Sequence, residues 1–519
     1  MPALLPPDLT PLAARLGVQP LFGDIHNHCD LSYGHGSLQN ALERARLQLD
    51  FVSITGHAHW PDMPVDDPSV AHIVDFHQEG FAKLRAGWHD HFATLRHYED
   101  AGRFAVFPGY EIHSNAHGDY TILYADLDDA DLVLADDPTA LKAGLRAAKS
   151  DRAIAFPHHI GYRRGARGIN WRSFDADLSP VVEMFSMHGC AERSETNRPY
   201  LHSMGPVDGA STVAAGLAGG ARFGVVANTD HHSGFPGSYG HGRMAVYATE
   251  RDRAAIWKAL RGRHTNALTG DNTHLLTAIG DTIQGGTIEP AGDVRLDIEA
   301  VAGGFIDHID IVKNDGLVAR VSPDIAPAPI AKPNGRPPET ILFVECGWGA
   351  RERSHHWTGT LALEGGSIAA AEPRFRGPEV VSPLEGGDNA HPLPRLQQDG
   401  NGIAFAFTAN ANPNNVTAAT QGFALRLCAQ DDAVLWGNLS GKAVRVPLSR
   451  LRKGALSGNL GTIDTPAYRF HQLPREHQWQ WRGSVALGAF EAGDTVYVRL
   501  TQRDGQTAWS SPIFCGAQQ

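Results

Sequence analysis

Short apolar runs alternate with stretches of helical spacing over the first half of the chain. Residues 21–25 read as a strand. Ser37 then sits where an N-cap is expected, before Leu38, Ala41, Leu42, Ala45 and Leu49, whose spacing puts them on one helix face. Residues 51–54 return as a strand, and strand, helix, strand in that order needs a crossover and hence parallel pairing. A long helix is predicted through Ile73, Phe76, Phe81, Leu84, Phe92 and Leu95. Strands follow at 104–107, 120–124, 153–156, 181–185, 223–227 and 244–248, with helices at 139–149 and 251–261. This alternation predicts an α/β barrel or a doubly wound sheet.

After about residue 281 the pattern changes. Gly- and Pro-rich turns separate short alternating runs at 294–298, 309–312, 340–344, 361–363, 404–408, 423–427, 444–446, 485–487 and 496–500. That texture predicts an all-β sandwich or two smaller β modules. Residues 323–338, rich in Pro and Ala, are expected to form a surface loop. The predicted division is 1–283 and 284–519, which suits the two-domain prior for 519 residues.

Composition narrows the class. Hydrophobic content of 42% and charged content of 20% describe a globular chain. A net charge of -12 argues against a broad nucleic-acid footprint. Five scattered cysteines without a C-x-x-C pair indicate neither a disulfide framework nor a thiolate zinc site. The first residues, Met1-Pro2-Ala3-Leu4-Leu5-Pro6-Pro7, lack the features of a signal peptide, and no run reaches membrane-span length, so a cytoplasmic location is expected.

The 27 histidines carry the chemistry. His26-Asn27-His28, Thr55-Gly56-His57, Glu111, Pro157-His158-His159, His188 and Asp230-His231-His232 each close a predicted strand. A strand places i and i+2 on one face, so His26/His28 and Asp230/His232 can each aim two ligands at one point. Several strand ends offering imidazole and carboxylate to one place predict a site for divalent ions, with the mixed set suiting Zn, Mn or Fe. The candidate ligands are His26, His28, His57, Glu111, His158, His188, Asp230 and His232, with His35 in Gly34-His35-Gly36 as a further one. Adjacent strand residues face opposite ways, so one of His158 and His159 is expected to line the pocket instead. Arg163, Arg164, Arg167 and Arg243 are candidates for holding phosphate, since guanidinium forks match its oxygens.

This ordered set resembles the polymerase and histidinol phosphatase (PHP) superfamily over about the first 280 residues. The tail, Tyr497-Val498-Arg499-Leu500-Thr501-Gln502 and then Ala508-Trp509-Ser510-Ser511-Pro512-Ile513, is similar to the ending of a bacterial branch with a C-terminal β domain. Two departures stand out: Ser32-Tyr33-Gly34 replaces a Ser-Asp-Gly element, and Gly56 replaces the Asp of Thr-Asp-His. The resemblance implies a distorted (β/α)7 barrel holding two or three divalent ions, and a phosphoesterase acting on a small phosphate ester through a metal-bridging hydroxide. Asp230 would orient the nucleophile, and His159 or His231 would protonate the leaving oxygen. An amidohydrolase-like enzyme is the enzymatic rival, disfavoured because no lysine occupies a suitable strand end; Lys149 is expected to end a helix. A non-catalytic carbohydrate- or partner-binding protein is the other, with Trp348, Trp357, Trp479 and Trp481 as its binding face. A homo-oligomer is compatible with either.

Overall fold

A computed structural model describes residues 5, 10–128, 130–148, 152–200, 204–325, 337–349, 353–378, 392–412 and 419–516. Lys149, most of the first seven residues and most of the 323–338 stretch lie outside these. The fold is mixed α/β with a large proportion of sheet.

In the first half the strands are β1 (Gln19–Asp24), β2 (Phe51–His59), β3 (Ala105–Ile112), β4 (Tyr120–Tyr124), β5 (Ala153–Pro157), β6 (Val181–Ser186), β7 (Gly189–Cys190), β8 (Gly224–Ala227), β9 (Arg243–Ala248) and β10 (Thr265–Leu268). The helices are α1 (Pro11–Leu16), α2 (Leu38–Gln48), α3 (Ala71–Gly87), α4 (Phe92–Tyr98), α5 (Pro138–Ala147), α6 (Val213–Ala218) and α7 (Arg253–Arg261). The Ser37 hydroxyl accepts from the Asn40 N–H, capping α2 as its sequence predicts. The single long helix predicted through Leu95 is instead two, α3 and α4, with buried Trp88 at the join.

Strand pairing is less parallel than the alternation suggested. β1, β2 and β3 are parallel neighbours, but β3–β4, β4–β5, β1–β9 and β9–β10 are antiparallel. β6 and β8 pair in parallel in a separate small sheet with β7. Among the described residues no ladder joins β5 to β6 or β8 to β10, so the strands form two arcs and not a closed barrel.

The gap beside β8 is bridged by the far end of the chain. Residues Thr507–Ser510 pair antiparallel with β10, setting Asn266, Ala267 and Leu268 opposite Ser510, Trp509 and Ala508. The Ser511 hydroxyl accepts from the Val225 N–H of β8 at 2.9 Å and bonds the Thr265 hydroxyl of β10 at 2.8 Å. Glu192, beyond β7, accepts from Tyr497, Arg499 and Trp509. These are the tail-motif residues, so that motif fastens the small sheet to the large one. One 13-stranded sheet therefore runs across residue 283, and one core cluster mixes Phe22, Ala245 and Leu268 with Leu296, Val498 and Leu500.

All nine β runs predicted after residue 281 fall within strands. An eight-stranded sheet is built around two long antiparallel strands, His355–Arg374 and Gln421–Leu439. Of the proposed aromatic face, Trp357, Trp479 and Trp481 are buried core and only Trp348 is exposed.

Candidate metal centre

The ligand motifs lie on adjoining turns that are sewn together by main-chain bonds. The Asp230 N–H donates to His26 O (2.9 Å), the His28 N–H to His231 O (2.9 Å), and the Gly234 N–H to His28 O (3.0 Å). The Asn228 side chain adds a cross-link: Oδ1 accepts from the Ile25 N–H at 2.8 Å and Nδ2 donates to Glu183 at 3.0 Å. Asp230 is held at φ 52° and His159 at φ 28°, left-handed conformations that cost a non-glycine residue on the order of 1–3 kcal/mol and persist where surroundings impose them. Gly56, the departure in the second motif, has a packing reason. A Cβ there would lie 2.7 Å from Leu84 of α3, which packs against β2 at this point.

The convergence is tight. His26, His28, His57, Glu111, His158, His188, Asp230 and His232 are all between 0% and 7% exposed. His28 Nε2 lies 3.0 Å from Asp230 Oδ1 and 3.2 Å from Glu111 Oε2. His26 Nε2 is 3.3 Å from each of the same two oxygens and 3.3 Å from His28 Nε2. His158 Nε2 is 3.1 Å from Glu111 Oε1, and His188 Nε2 is 2.9 Å from Asp230 Oδ2. Among the described residues, four groups of potential ligands have their atoms within 4.8 Å of one another: His28/His57/His232, His26/His28/Glu111, His57/Glu111/His113 and Glu111/Asp119/His158/His159. Glu111 belongs to three of them.

The outer ring nitrogens of four of these histidines are engaged. His26 Nδ1 donates to Glu183 at 2.8 Å and His232 Nδ1 to the Asp230 carbonyl at 2.9 Å. His57 Nδ1 bonds Ser32 Oγ at 2.9 Å and His158 Nδ1 bonds Thr121 Oγ1 at 3.0 Å. A neutral imidazole that spends its proton on Nδ1 presents a bare Nε2, the orientation that outer partners impose on metal-bound histidines. At His26 that bare nitrogen faces carboxylate oxygens, and such facing lone pairs are satisfied by a cation between them. Ligands on one ion at bonds of about 2.0–2.2 Å sit roughly 3–4 Å apart, the spacing seen here. The donor set fits divalent ions.

Electrostatics agree. Burial opposes charge on Glu111, but the imidazoles of His158, His57 and His113 hold its carboxyl well below the usual range. Asp230 is lowered likewise against burial, by His26 and His188. Burial works to lower His26, yet Asp230, Glu183 and Glu111 raise it well above an ordinary imidazole. Burial and neighbouring His28 push His57 and His232 down. Two ionised carboxylates thus sit at the middle of the cluster, beside the neutral rings of His57 and His232.

Other sequence candidates are placed differently. His35 is half-buried and, among the described residues, belongs to none of the four groups. His231 is not a proton donor to the centre. Its Nδ1 accepts from the Ser233 N–H at 3.0 Å, so its proton is on Nε2, which donates to Pro378 O at 2.8 Å. Burial pushes its pKa down to about 3. Arg243 is fully buried and donates to Gly237 O, Gln48 and Asn272, which makes it a brace at the start of β9 and not a substrate ligand. Arg163 and Arg164 are exposed, whereas Arg167 reaches in. Its Nε donates to Asp119 at 2.8 Å and its guanidinium lies over the Trp60 ring.

Asp119 and Glu183 are functional-looking residues that strand-end reasoning missed, and His113 joins them beside Glu111. Asp119 Oδ2 accepts from His113 Nδ1 at 2.9 Å and from Arg167, and lies 3.3 Å from His159 Nε2, while Oδ1 accepts from the Ser114 N–H. It precedes β4, whose antiparallel run brings an amino end to the same rim as the carboxyl end of β3. His113 Nε2 lies 3.2 Å from the Tyr33 hydroxyl. Glu183 lies within β6, and only inward alternation along the strand could have marked it.

No family model matches the chain. Uncharacterised proteins of Chlamydia trachomatis and Chlamydia muridarum are each 26% identical over 174 residues, which is 30% of this chain and 28% of theirs. The match thus spans less than a third of those relatives. Among solved structures, a two-domain protein from Bacteroides vulgatus containing a predicted PHP-like metal-dependent phosphoesterase aligns with 57% of this chain and 79% of its own, at 17% identity and a TM-score of 0.31. PsfC from Pseudomonas syringae aligns with 44% of this chain and 82% of its own, at 15% identity and a TM-score of 0.28.

Proposed function

We propose that the chain is a metal-dependent hydrolase, and specifically a phosphoesterase of the PHP type. The observation that carries this is the buried convergence of imidazole nitrogens on Glu111 and Asp230, with the outer nitrogens of His26, His57, His158 and His232 already tied off. Two or three ions of Zn, Mn or Fe would be held by His26, His28, His57, Glu111, His158, His188, Asp230 and His232. Such ions polarise a phosphoryl oxygen and acidify water from a pKa of about 15.7 toward ~7.

The chain's own side chains do the rest. Glu183 holds the proton of His26 on Nδ1 and so fixes the direction of its lone pair. Asp119 fixes Arg167 at the rim, where the guanidinium supports phosphoryl oxygens as charge grows on them. His159 holds its one proton on Nε2 against Asp119, and burial with neighbouring His158 keeps the ring neutral. Its Nδ1, buried and without a hydrogen-bond partner among the described residues, is therefore an acceptor in the resting state. That differs from the leaving-group acid expected of it. A small phosphate ester fits this setting.

The test is a panel of nitrophenyl phosphate mono- and diesters and nitrophenyl carboxylic esters, each with and without added Mn²⁺ or Zn²⁺. Metal-stimulated release from phosphate esters is expected. Release from carboxylic esters alone would transfer the site to carbon chemistry.

A further inference from the structure

The loop carrying Asp230 and His232 has two sides. One is bonded to the His26–His28 turn, as above. The other is gripped by residues 375–378, which follow the long strand His355–Arg374 of the second half. The Tyr239 N–H donates to Phe375 O at 2.9 Å, the Gly377 N–H to Ser238 Oγ at 2.8 Å, and His231 Nε2 to Pro378 O at 2.8 Å. The grip is itself anchored, because Gln421 exchanges side-chain bonds with the backbone of Arg376 at 2.7 and 2.6 Å. Gly377 passes so close that a Cβ there would lie 2.5 Å from His231 Nε2 and 2.7 Å from Phe235 Cβ.

His231 lies between the two sides. Its carbonyl holds the His28 N–H and its ring holds Pro378 O, while its neighbour Asp230 keeps a left-handed conformation. His231 thus ties the 375–378 segment to the proposed ligands on either side of it.

We propose that residues 375–378 form a clamp by which the second half of the chain sets the geometry of the Asp230/His232 loop, making His231, Ser238 and Gly377 positioning residues of the metal centre. This rests on the metal reading above. It assigns the second half a part in metal affinity, although it contributes none of the eight proposed ligands.

The test is the Mn²⁺ affinity of the full chain, read by competition with a chromogenic chelator and paired with circular dichroism and a thermal melt of the metal-free protein. Gly377→Ala and His231→Phe are each expected to weaken Mn²⁺ binding about tenfold or more, the range typical of residues that orient ligands. His231→Gln, which keeps a donor for Pro378, should recover most of that loss. Ser238→Ala removes one hydroxyl only, is expected to fold, and should show a smaller loss of about threefold. Unchanged affinity in folded Ser238→Ala and His231→Phe proteins overturns the clamp. An unaltered chain that binds no Mn²⁺, Zn²⁺ or Fe²⁺ at all overturns the metal reading itself, and the clamp with it.

Discussion

On the proposed reading, a Glu111→Ala chain is expected to lose metal binding and, with it, the proposed phosphoesterase activity by about a thousandfold or more. Glu111 receives His28 and His26 on one oxygen and His158 on the other, and belongs to three of the four ligand groups. Its removal leaves imidazoles facing one another without the shared charge that would hold cations among them. The loss should exceed the 10–100-fold typical of outer-partner substitutions, because Glu111 is a proposed ligand and not an outer partner. A second readout separates this from misfolding. Metal at about 1,000 times its Kd stabilises a folded protein by about 4 kcal/mol. The unaltered chain should show that rise in thermal midpoint and Glu111→Ala should show none. Equal metal-induced stabilisation in both would remove Glu111 from the centre.

Truncation after residue 283 is expected to abolish soluble, folded protein, although the sequence pattern changes there. Trp509, Tyr497, Val498 and Leu500 are 0–4% exposed, and they pack on residues of the first half or on strands joined to it. Burying one large apolar side chain contributes about 1.5–3 kcal/mol, so losing these four alone costs on the order of 10 kcal/mol, comparable with a whole domain's stability. The cut also removes Ser511 from between β8 and β10 and three hydrogen-bond partners from buried Glu192. Expression of residues 1–283, followed by size exclusion and circular dichroism, checks this. A monomeric, cooperatively melting fragment would show the first half to be self-sufficient.

Local pattern carried much of the architecture. The α2 cap at Ser37, eight strands of the first half and nine of the second were legible because period-2 and period-3.6 patterning is imposed by which face each element buries, while short strands such as β7 and β10 were not. Strand direction was not legible. Nothing in residues 105–124 marks β3 and β4 as antiparallel, and Asp119 was missed because it lies at an amino end that this reversal brings to the rim. Arg243 was misplaced for a related reason. An arginine after a ligand loop reads as substrate-facing, whereas a close carbonyl at Gly237 and the Gln48 side chain draw it into the core. His231 shares a motif with two proposed ligands, and only the tertiary approach of Pro378 turns its ring away. The convergence of His26, His28, His57, Glu111, His158, Asp230 and His232 was foreseeable from strand ends alone, while the orienting partners Glu183 and Asp119 depended on the three-dimensional packing.

Anomalous scattering from crystals of protein purified without chelators tests the central claim most directly. Strong transition-metal peaks within bonding distance of Glu111 and Asp230, with His26 and His28 Nε2 turned toward them, are the expected result. Crystals with no such peak, in which those imidazoles hydrogen-bond straight to the two carboxylates, would contradict it.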